Sequence, residues 1–230
     1  MELTLLDPQR PSQAFPPLEK ALREPNGLLA IGGCLSPERL INAYRHGIFP
    51  WFNPGEPLLW WSPDPRLVLL PDHVIISRSL RKTLRRSLFT VTYDQAFKQV
   101  IECCAAPRSG STGTWITEAM KQAYNSLHEM GLAHSAEAWI DGELVGGLYG
   151  IAIGQVFFGE SMFHKKTDAS KVVFVTLAEQ MKNWNYRLID CQVQTRHLLS
   201  LGAEEIRRRD FANRIQQYCS IEPASNAWQN

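Results

Sequence analysis

The segment HSAEAWIDGELVGGLYGIAI, residues 134–153, decides the fold. Two apolar runs flank the pair Asp141-Gly142, and an Asp-Gly pair between such runs is a strong signal for a tight β-hairpin turn. A third run, QVFFGE at residues 155–160, follows almost directly. The sequence therefore predicts three successive strands that form an antiparallel meander.

Alternating helices and strands surround this meander. Before it, the pattern predicts a strand at FTVTY and helices over 94–104 and 117–131; after it come a long helix following Asp168, the strand RLIDCQVQ at 187–194, and a helix over 195–202. An antiparallel meander followed by strand, helix, strand and helix is the layout of acyltransferase-type folds. We predict an α/β (α+β) fold with a GNAT-like domain, similar to the acyl-CoA N-acyltransferases, around a mixed sheet.

The N-terminal part of the chain has a different character. It is rich in Pro and Gly and contains one clear helix, with Ser36 as N-cap and Pro37 in the first turn. The loop GIFPWFNPGEPLLWWSPDPR follows, and its prolines exclude a helix or a central strand. We predict a small N-terminal domain over residues 1–66 and the GNAT-like domain over 67–230.

Bulk composition narrows the class of protein. The 230 residues are 44% hydrophobic with a formal net charge of +1, which is typical of a globular chain with a sizeable core. The N-terminus lacks the pattern of an export signal, and the longest apolar run, Val172–Ala178, is far below the roughly 18 residues that span a bilayer. Five cysteines without a C-x-x-C pair indicate reduced thiols. We expect a cytoplasmic protein with no membrane segment and no metal site.

A basic helix is the clearest local charge signal. Five cations recur at helical spacing without an acid between Asp72 and Asp94, which places them on one face: Arg78, Arg81, Lys82, Arg85 and Arg86. The alternative is an ordinary solvated helix face. Such faces usually carry both signs of charge, whereas this one carries only cations. We predict that this stripe binds nucleic-acid phosphate.

Tryptophans on loops support the same class of ligand. Trp51 and Trp61 lie in the aromatic loop, and Trp115 lies in the turn STGTWIT. Most tryptophans belong to a core, but a loop tryptophan is also the usual platform for stacking a nucleobase, which contributes roughly 1–3 kcal/mol per base. Together with the basic stripe, they suggest a single-stranded nucleic-acid end as ligand.

The strand RLIDCQVQ carries the most specific chemical pattern. Asp190 and Gln192 interrupt an otherwise apolar run, and residues two apart on a strand point to the same face. The pair is either a satisfied polar pair inside a sheet or a reaction centre.

The connection GESMFHKKTDASK, residues 159–171, bears on the identity of the acyl donor. On this layout, acyl-CoA enzymes carry a glycine-rich turn whose amides bind pyrophosphate at the helix N-terminus. Here no glycine follows Gly159, and Lys165 and Lys166 occupy the turn. We therefore expect an acyl donor other than CoA.

Nine stretches resemble the leucyl/phenylalanyl-tRNA-protein transferase family, in order along nearly the whole chain: REPNGLLAIGG, YRHGIFPWF, WWSPDPR, GTWIT, HSAEAW, ELVGGLYG, GESMF, LIDCQ and HLLSLGA. Two departures are visible. Arg207 stands where the family's pattern has proline, and Leu177 stands where an aromatic residue is familiar.

The resemblance implies an enzyme that transfers Leu or Phe, and less readily Met, from aminoacyl-tRNA to proteins whose N-terminus is Arg or Lys, without a cofactor. The product would be a substrate of the N-degron pathway. It makes Asp190 and Gln192 the reaction centre. Our hypothesis is that Asp190 orients Gln192 and helps to accept the amine's proton, while Gln192 positions the attacking amine. The resemblance assigns Trp51 and Trp115 to the terminal adenosine, and the basic helix to the phosphates of the acceptor stem.

An apolar pocket should hold the transferred side chain. We predict that six residues line it: Leu148, Phe157, Met162, Phe174, Leu177 and Leu188. A pliable Met suits a pocket that accepts both Leu and Phe. Glu160 is a candidate for contacting an amino group, with a solvent-facing or structural role as its alternative.

Two other functions fit part of the pattern. An acyl-CoA-dependent N-acyltransferase would suit the fold but lacks the pyrophosphate turn. A non-catalytic module that binds tRNA ends would explain the basic stripe and the tryptophans, but not Asp190 with Gln192.

Overall fold

A computed structural model describes residues 3–107 and 114–229. The strands of the described part are β1 (Thr4–Leu6), β2 (Leu28–Gly32), β3 (Phe49–Pro50), β4 (Leu59–Trp61), β5 (Arg66–Leu69), β6 (Thr90–Tyr93), β7 (Ala133–Ile140), β8 (Glu143–Ile153), β9 (Val156–His164), β10 (Leu188–Gln192) and β11 (Glu204–Ile206). Its α-helices are α1 (Pro37–Arg45), α2 (Arg78–Arg85), α3 (Phe97–Ala105), α4 (Glu118–Glu129), α5 (Ala169–Asn183), α6 (Arg196–Ser200) and α7 (Arg208–Tyr218).

A seven-stranded mixed sheet forms the larger part of the molecule, in the order β11-β5-β10-β9-β8-β7-β6. Strands β7 to β9 form the predicted antiparallel meander, and β6 extends it by pairing antiparallel with β7. Asp141 and Gly142 both have positive φ, 50° and 79°, as a tight hairpin turn requires. Helix α5 then returns the chain so that β10 pairs parallel with β9. These observations confirm the predicted α/β fold with a GNAT-like mixed sheet.

The N-terminal part forms a small four-stranded sheet in the order β1-β2-β4-β3. The expectation that prolines exclude a central strand from the aromatic loop is wrong, because β4 lies within that loop and pairs with both β2 and β3; its three residues contain no proline. Helix α1 begins as predicted, because the Ser36 hydroxyl accepts the amide N–H of Arg39 at 3.4 Å and Pro37 occupies the first turn. Gly47 follows the helix with φ 74°, and a Cβ there would lie 2.8 Å from the ring of Phe211. Glycine is therefore required where the chain enters the aromatic loop.

The two sheets share a hydrophobic core. Tyr44 and Trp60 from the N-terminal part lie in one buried cluster with Val100 and Phe158 of the larger sheet and its helices. Arg66 is the first residue of β5 and pairs with Ile206 of β11. The division into residues 1–66 and 67–230 stays a prediction, and the structure adds that the N-terminal sheet packs directly on the core of the rest.

Strands β9 and β10 diverge in the middle of the larger sheet. Their pairing covers Leu188–Asp190 against Val156–Phe158, whereas β9 continues to His164. The pairing of β8 with β9 shifts at Tyr149/Gly150, and that of β10 with β5 shifts between Asp190 and Gln192. Such irregularities bend a strand and redirect its side chains. The sheet therefore opens into a gap beside Asp190.

Two general predictions can be compared with the described part of the chain. None of the helices in residues 3–107 and 114–229 is long and apolar enough to cross a membrane. All five cysteines are free thiols, as predicted.

Candidate active site

A cavity of about 960 Å³ lies at the gap between β9 and β10. Its lining comes from both faces of the sheet. Tyr149 and Phe163 belong to the core cluster beside α3 and α4, whereas Phe157 and Leu177 belong to the cluster beneath α5. The polar lining includes Glu160, Asp190 and Gln192. An apolar chamber and a polar centre therefore meet where the strands part.

Asp190 is held by a buried arginine. Arg66 Nε donates to Asp190 Oδ1 at 2.8 Å and Arg66 Nη2 donates to Asp190 Oδ2 at 2.6 Å, and both residues are 0% exposed. This two-point geometry is the strongest common form of an arginine–carboxylate pair. Asp190 is therefore fixed in position and its charge is compensated.

Aromatic rings enclose the Arg66 guanidinium. Its central carbon lies 4.7 Å from the ring centroid of Phe49 and 4.6 Å from that of Phe211, and Nη1 donates to the carbonyl oxygen of Gly47 at 3.2 Å. Arginine stacks favourably on aromatic faces when it is removed from water. The pair is thus built from the aromatic loop, β5, β10 and α7.

Gln192 has an unusual backbone conformation. Its φ is 61°, in the left-handed region that costs roughly 1–2 kcal/mol for a residue with a Cβ. The Gln192 amide N–H donates to Asp190 Oδ1 at 2.9 Å, which stabilises this conformation. The predicted contact between Asp190 and Gln192 therefore runs through the Gln192 backbone. Strain of this kind is concentrated at functional sites.

The Gln192 side chain points at Glu160. Gln192 Nε2 donates to Glu160 Oε1 at 2.7 Å. Tyr44 Oη donates to Glu160 Oε1 and Tyr124 Oη donates to Glu160 Oε2, each at 2.8 Å. Glu160 lies at the shift in the β8–β9 pairing and keeps part of its surface open to the cavity. A carboxyl group is thus placed beside the Gln192 amide at the centre of the gap.

Burial raises the pKa of Glu160 to about 7, against the opposing effect of its three hydrogen-bond donors. The hydroxyls of Tyr44 and Tyr124 are also in hydrogen-bond contact with each other, so Glu160 and the two tyrosines form one connected polar cluster. The same burial, together with the charge of Glu160, raises the pKa of both tyrosines well above the usual value.

Five of the six residues predicted for the apolar pocket line the cavity: Leu148, Phe157, Met162, Phe174 and Leu177. Leu188 is the exception. It packs in the cluster on the opposite face of the sheet, and its neighbour Ile189 lines the cavity instead. The prediction for Leu188 is corrected accordingly, because successive residues of β10 point to opposite faces.

The structure separates the two tryptophans predicted to hold the nucleoside. Trp115 lines the cavity next to Pro107. Trp51 is 46% exposed, lies outside that lining, and packs at 5.6 Å against Trp61, whose indole N–H donates to the Trp51 carbonyl oxygen at 2.6 Å. Both positions remain accessible to a ligand.

The basic helix α2 lies beside the N-terminus of α5. All five predicted cations are exposed, and within residues 3–107 and 114–229 none of them is within 4.0 Å of a carboxylate: Arg78, Arg81, Lys82, Arg85 and Arg86. Helix α2 turns Leu80 towards the core, and Thr83 Oγ1 donates to Asp168 Oδ2 at 3.2 Å. Asp168 directly precedes α5, the helix that carries Phe174 and Leu177 of the cavity lining, so the stripe lies near the cavity.

Sequence reasoning missed three residues of the centre: Arg66, Tyr44 and Tyr124. One local signal existed for Arg66, which is a charged residue at the start of the fully buried strand RLVL. For the tyrosines no signal existed, because each lies among the apolar positions of an ordinary amphipathic helix.

The fold is built on a GNAT-like mixed sheet, and the candidate active site lies where its central strands diverge. The family model described as leucyl/phenylalanyl-tRNA protein transferase matches residues 68–216, and the model of that family's N-terminal domain matches residues 33–64. The chain belongs to the leucyl/phenylalanyl-tRNA protein transferase family.

Similar proteins match nearly the whole length of the chain. The leucyl/phenylalanyl-tRNA–protein transferase of Nitrosomonas europaea is 61% identical over 93% of this chain and 91% of its own length. That of Methylococcus capsulatus is 56% identical over 99% of this chain and 97% of its own. A solved GCN5-related N-acetyltransferase from Kribbella flavida is 11% identical with a TM-score of 0.38, over 73% of this chain and 60% of that one. The assignment rests on the sequence relatives.

Proposed function

We propose that this enzyme transfers Leu or Phe, and less readily Met, from aminoacyl-tRNA to the N-terminal Arg or Lys of acceptor proteins in the cytoplasm, which would direct the products to the N-degron pathway. The observation that carries the proposal is the junction of two environments in one cavity. An apolar chamber roofed by Phe174 and Leu177 suits the transferred side chain, and the carboxyl group of Glu160 suits a cationic N-terminus.

The reaction is aminolysis of an ester. The acceptor's α-amino nitrogen forms a bond to the ester carbonyl carbon, the bond to the tRNA 3′ oxygen breaks, and one proton passes from the amine to that oxygen. An ordinary α-amino group has a pKa near 7.7–8.0, so roughly a tenth is neutral at pH 7. The enzyme therefore needs mainly to orient the two substrates and to stabilise the developing charge.

The contacts of Asp190 indicate different roles for the carboxyl groups of Asp190 and Glu160. Arg66 and the Gln192 amide together occupy both oxygens of Asp190. We therefore assign to Asp190 the orientation of Gln192, and move the proton-accepting part of our hypothesis to Glu160. The side-chain amide of Gln192 already contacts Glu160. We assign to Gln192 the positioning of the incoming amine between its own side chain and the Glu160 carboxyl group.

The tRNA end is assigned to the cavity rim and to α2. Trp115 offers a ring at the lining for the terminal adenine, and the exposed Trp51 offers a second platform in the aromatic loop. The exposed cations of α2 are assigned to the phosphates of the acceptor stem. Stacking and phosphate contacts are tolerant of sequence, which suits an enzyme that accepts more than one tRNA.

The pH dependence of Glu160→Gln tests the proton acceptor. Glu160 has a pKa of about 7, so the wild-type rate should rise through pH 7 as this carboxyl ionises. The variant should lose about 10²-fold at pH 8, and less at pH 6, because the wild-type group is itself protonated there. Rates at saturating tRNA between pH 5.5 and 8.5 give the comparison.

The pH dependence of thermal unfolding tests the raised pKa of Glu160 independently of activity. A carboxyl whose pKa rises from 4.5 to about 7 on folding stabilises the fold when protonated, and that contribution is lost as the pH rises through 7. The free energy of unfolding of the wild type should therefore fall relative to that of Glu160→Gln as the pH rises from about 4.5 to 7. Glu143→Gln, an exposed acid on β8, is the control. Parallel pH profiles for all three proteins would contradict the assignment.

The basic stripe is tested by the salt dependence of tRNA binding. Replacing Arg78 and Arg81 together by glutamine should weaken binding and reduce the slope of log K against log salt by about one to two, because fewer counterions are released. The double change Arg207→Gln with Arg209→Gln alters the net charge equally on exposed residues near α7 and should leave the slope unchanged. Equal slopes for both double variants would make the stripe an ordinary solvated face.

The proposed function itself is tested with labelled donors. The purified protein is incubated with Leu-tRNA and an acceptor protein beginning with Arg, and in parallel with acetyl-CoA as donor. Label on the acceptor only with the tRNA supports the proposal. Label only with acetyl-CoA would favour the acyl-CoA alternative, and tRNA binding without transfer would favour a non-catalytic module.

A further inference from the structure

The segment after α7 folds back across the end of the larger sheet. The Gln155 amide N–H donates to the Tyr218 carbonyl oxygen at 2.9 Å, and Gln155 Nε2 donates to the Glu222 carbonyl oxygen at 3.3 Å. The Ala224 amide N–H then donates to the Trp184 carbonyl oxygen at 2.8 Å. These bonds tie the segment to the β8–β9 turn and to the end of α5, and bring Trp228 beneath the sheet.

Trp228 packs among several aromatic side chains and an imidazole ring. Its ring stacks on His134 with centroids 4.2 Å apart and lies 4.9 Å from Trp184, and its indole N–H donates to Tyr186 Oη at 2.8 Å. His134 is fixed in turn by Asp94, whose Oδ2 lies 2.6 Å from His134 Nδ1. The position of this indole is therefore determined from several sides.

A further contact of Trp228 reaches the cavity wall. Its ring packs at 5.7 Å, with an interplanar angle of 30°, against Phe157, which lines the cavity and is only 1% exposed. On the neighbouring strand, a Cβ at Gly150 would lie 2.6 Å from Phe157 Cζ, so the phenyl ring also occupies the space beside that glycine. Phe157 thus has the cavity on one side and Trp228 behind it.

We propose that Trp228 is a positioning residue that sets the depth of the amino-acid pocket by holding the Phe157 ring, and so sets the choice between Leu and Phe donors. The proposal rests on the proposed function, in which this chamber receives the transferred side chain. Closely packed interiors relax only partly when a neighbour is removed, but a ring that loses its support can move into the vacated space. Removal of Trp228 should therefore deepen the pocket and favour the larger donor.

The test is a competition between Leu-tRNA and Phe-tRNA for one acceptor that begins with Arg. In Trp228→Ala the Phe-to-Leu product ratio should rise about tenfold, the low end of what a methylene-sized change in an apolar pocket gives. Trp228→Phe keeps an aromatic support and should stay near the wild-type ratio, with Trp228→Leu in between. Binding of leucyl- and phenylalanyl-adenosine analogues should shift in the same direction.

Trp139→Ala is the matched control. Trp139 is also a partly buried tryptophan whose indole N–H is bonded, to Thr92 Oγ1 at 2.8 Å, but it lies in the cluster on the other face from Phe157. It should lower stability without changing the ratio. An unchanged ratio in Trp228→Leu and Trp228→Ala, or an equal change in Trp139→Ala, would overturn the proposal. If Trp228→Ala does not fold, the graded pair of Phe and Leu variants decides. Failure of the wild type to transfer either donor would instead refute the proposed function.

Discussion

Replacing Arg66 by alanine is expected to lower the free energy of unfolding by about 3–5 kcal/mol and to remove transfer activity. The change would leave the Asp190 carboxylate buried without its partner, and breaking one side of a buried ion pair has an effect of this size. Denaturant unfolding and single-turnover transfer measure the two consequences. Lys121→Ala, which breaks ion pairs with the exposed acids Glu102 and Glu118, should cost no more than about 1 kcal/mol.

A double variant separates stability from activity at the same site. Changing Arg66→Met together with Asp190→Leu removes both charges, and buried pairs replaced by apolar groups of similar size are often as stable as the original. The double variant should recover most of the stability but none of the activity, because nothing then accepts the Gln192 amide N–H. Recovery of activity along with stability would show that the pair only holds the fold.

Replacing Gln192 is expected to lower the transfer rate by about 10²- to 10³-fold while leaving tRNA affinity nearly unchanged. An oriented donor at a reaction centre contributes on this scale, and Gln192 is assigned to the amine and not to the tRNA. Gln192→Gly is the cleaner variant, because glycine adopts φ 61° without strain and only the side chain is lost. Asp190→Ala should lose activity similarly, through the backbone of Gln192.

Gln194→Ala provides the control, because Gln194 is an exposed amide two residues further along. It should behave as the wild type in both assays. A fall in tRNA affinity equal to the fall in rate for Gln192→Gly would assign this residue to docking instead of chemistry. Full activity in Gln192→Asn would show that the length of the side chain, and with it the reach to Glu160, is unimportant.

Local patterns predicted the part of the fold that local chemistry controls. The hairpin at Asp141-Gly142 and the cap at Ser36 follow from backbone preferences of a few residues, and both are as expected. The mixed sheet followed from the order of strands and helices. The shared core of the two sheets could not be predicted in the same way, because nothing in the sequence near Arg66 shows which distant surface the N-terminal part covers.

The site was predictable where alternation applied and not where distant segments meet. Asp190 and Gln192 line one cavity as their spacing predicts, but the strand pairing breaks between them, and the contact passes through a backbone amide. Because successive side chains of β10 point to opposite faces, Leu188 lies on the same face as Asp190, and Ile189 lines the apolar chamber. Arg66 is 124 residues from Asp190, a separation at which no sequence period applies.

The enclosure of Arg66 also determines when the centre can form during synthesis. Phe49 and Arg66 emerge from the ribosome first, Asp190 follows Arg66 more than a hundred residues later, and Phe211 on α7 emerges after Asp190. Domains generally fold as units as the chain emerges, and contacts between distant residues form only after the chain between them is ordered. A nascent chain that stops before α7 lacks one face of the guanidinium cage. The cage around Arg66 is therefore completed only after α7 has emerged, so a nascent chain carries the basic helix before it carries the complete candidate centre.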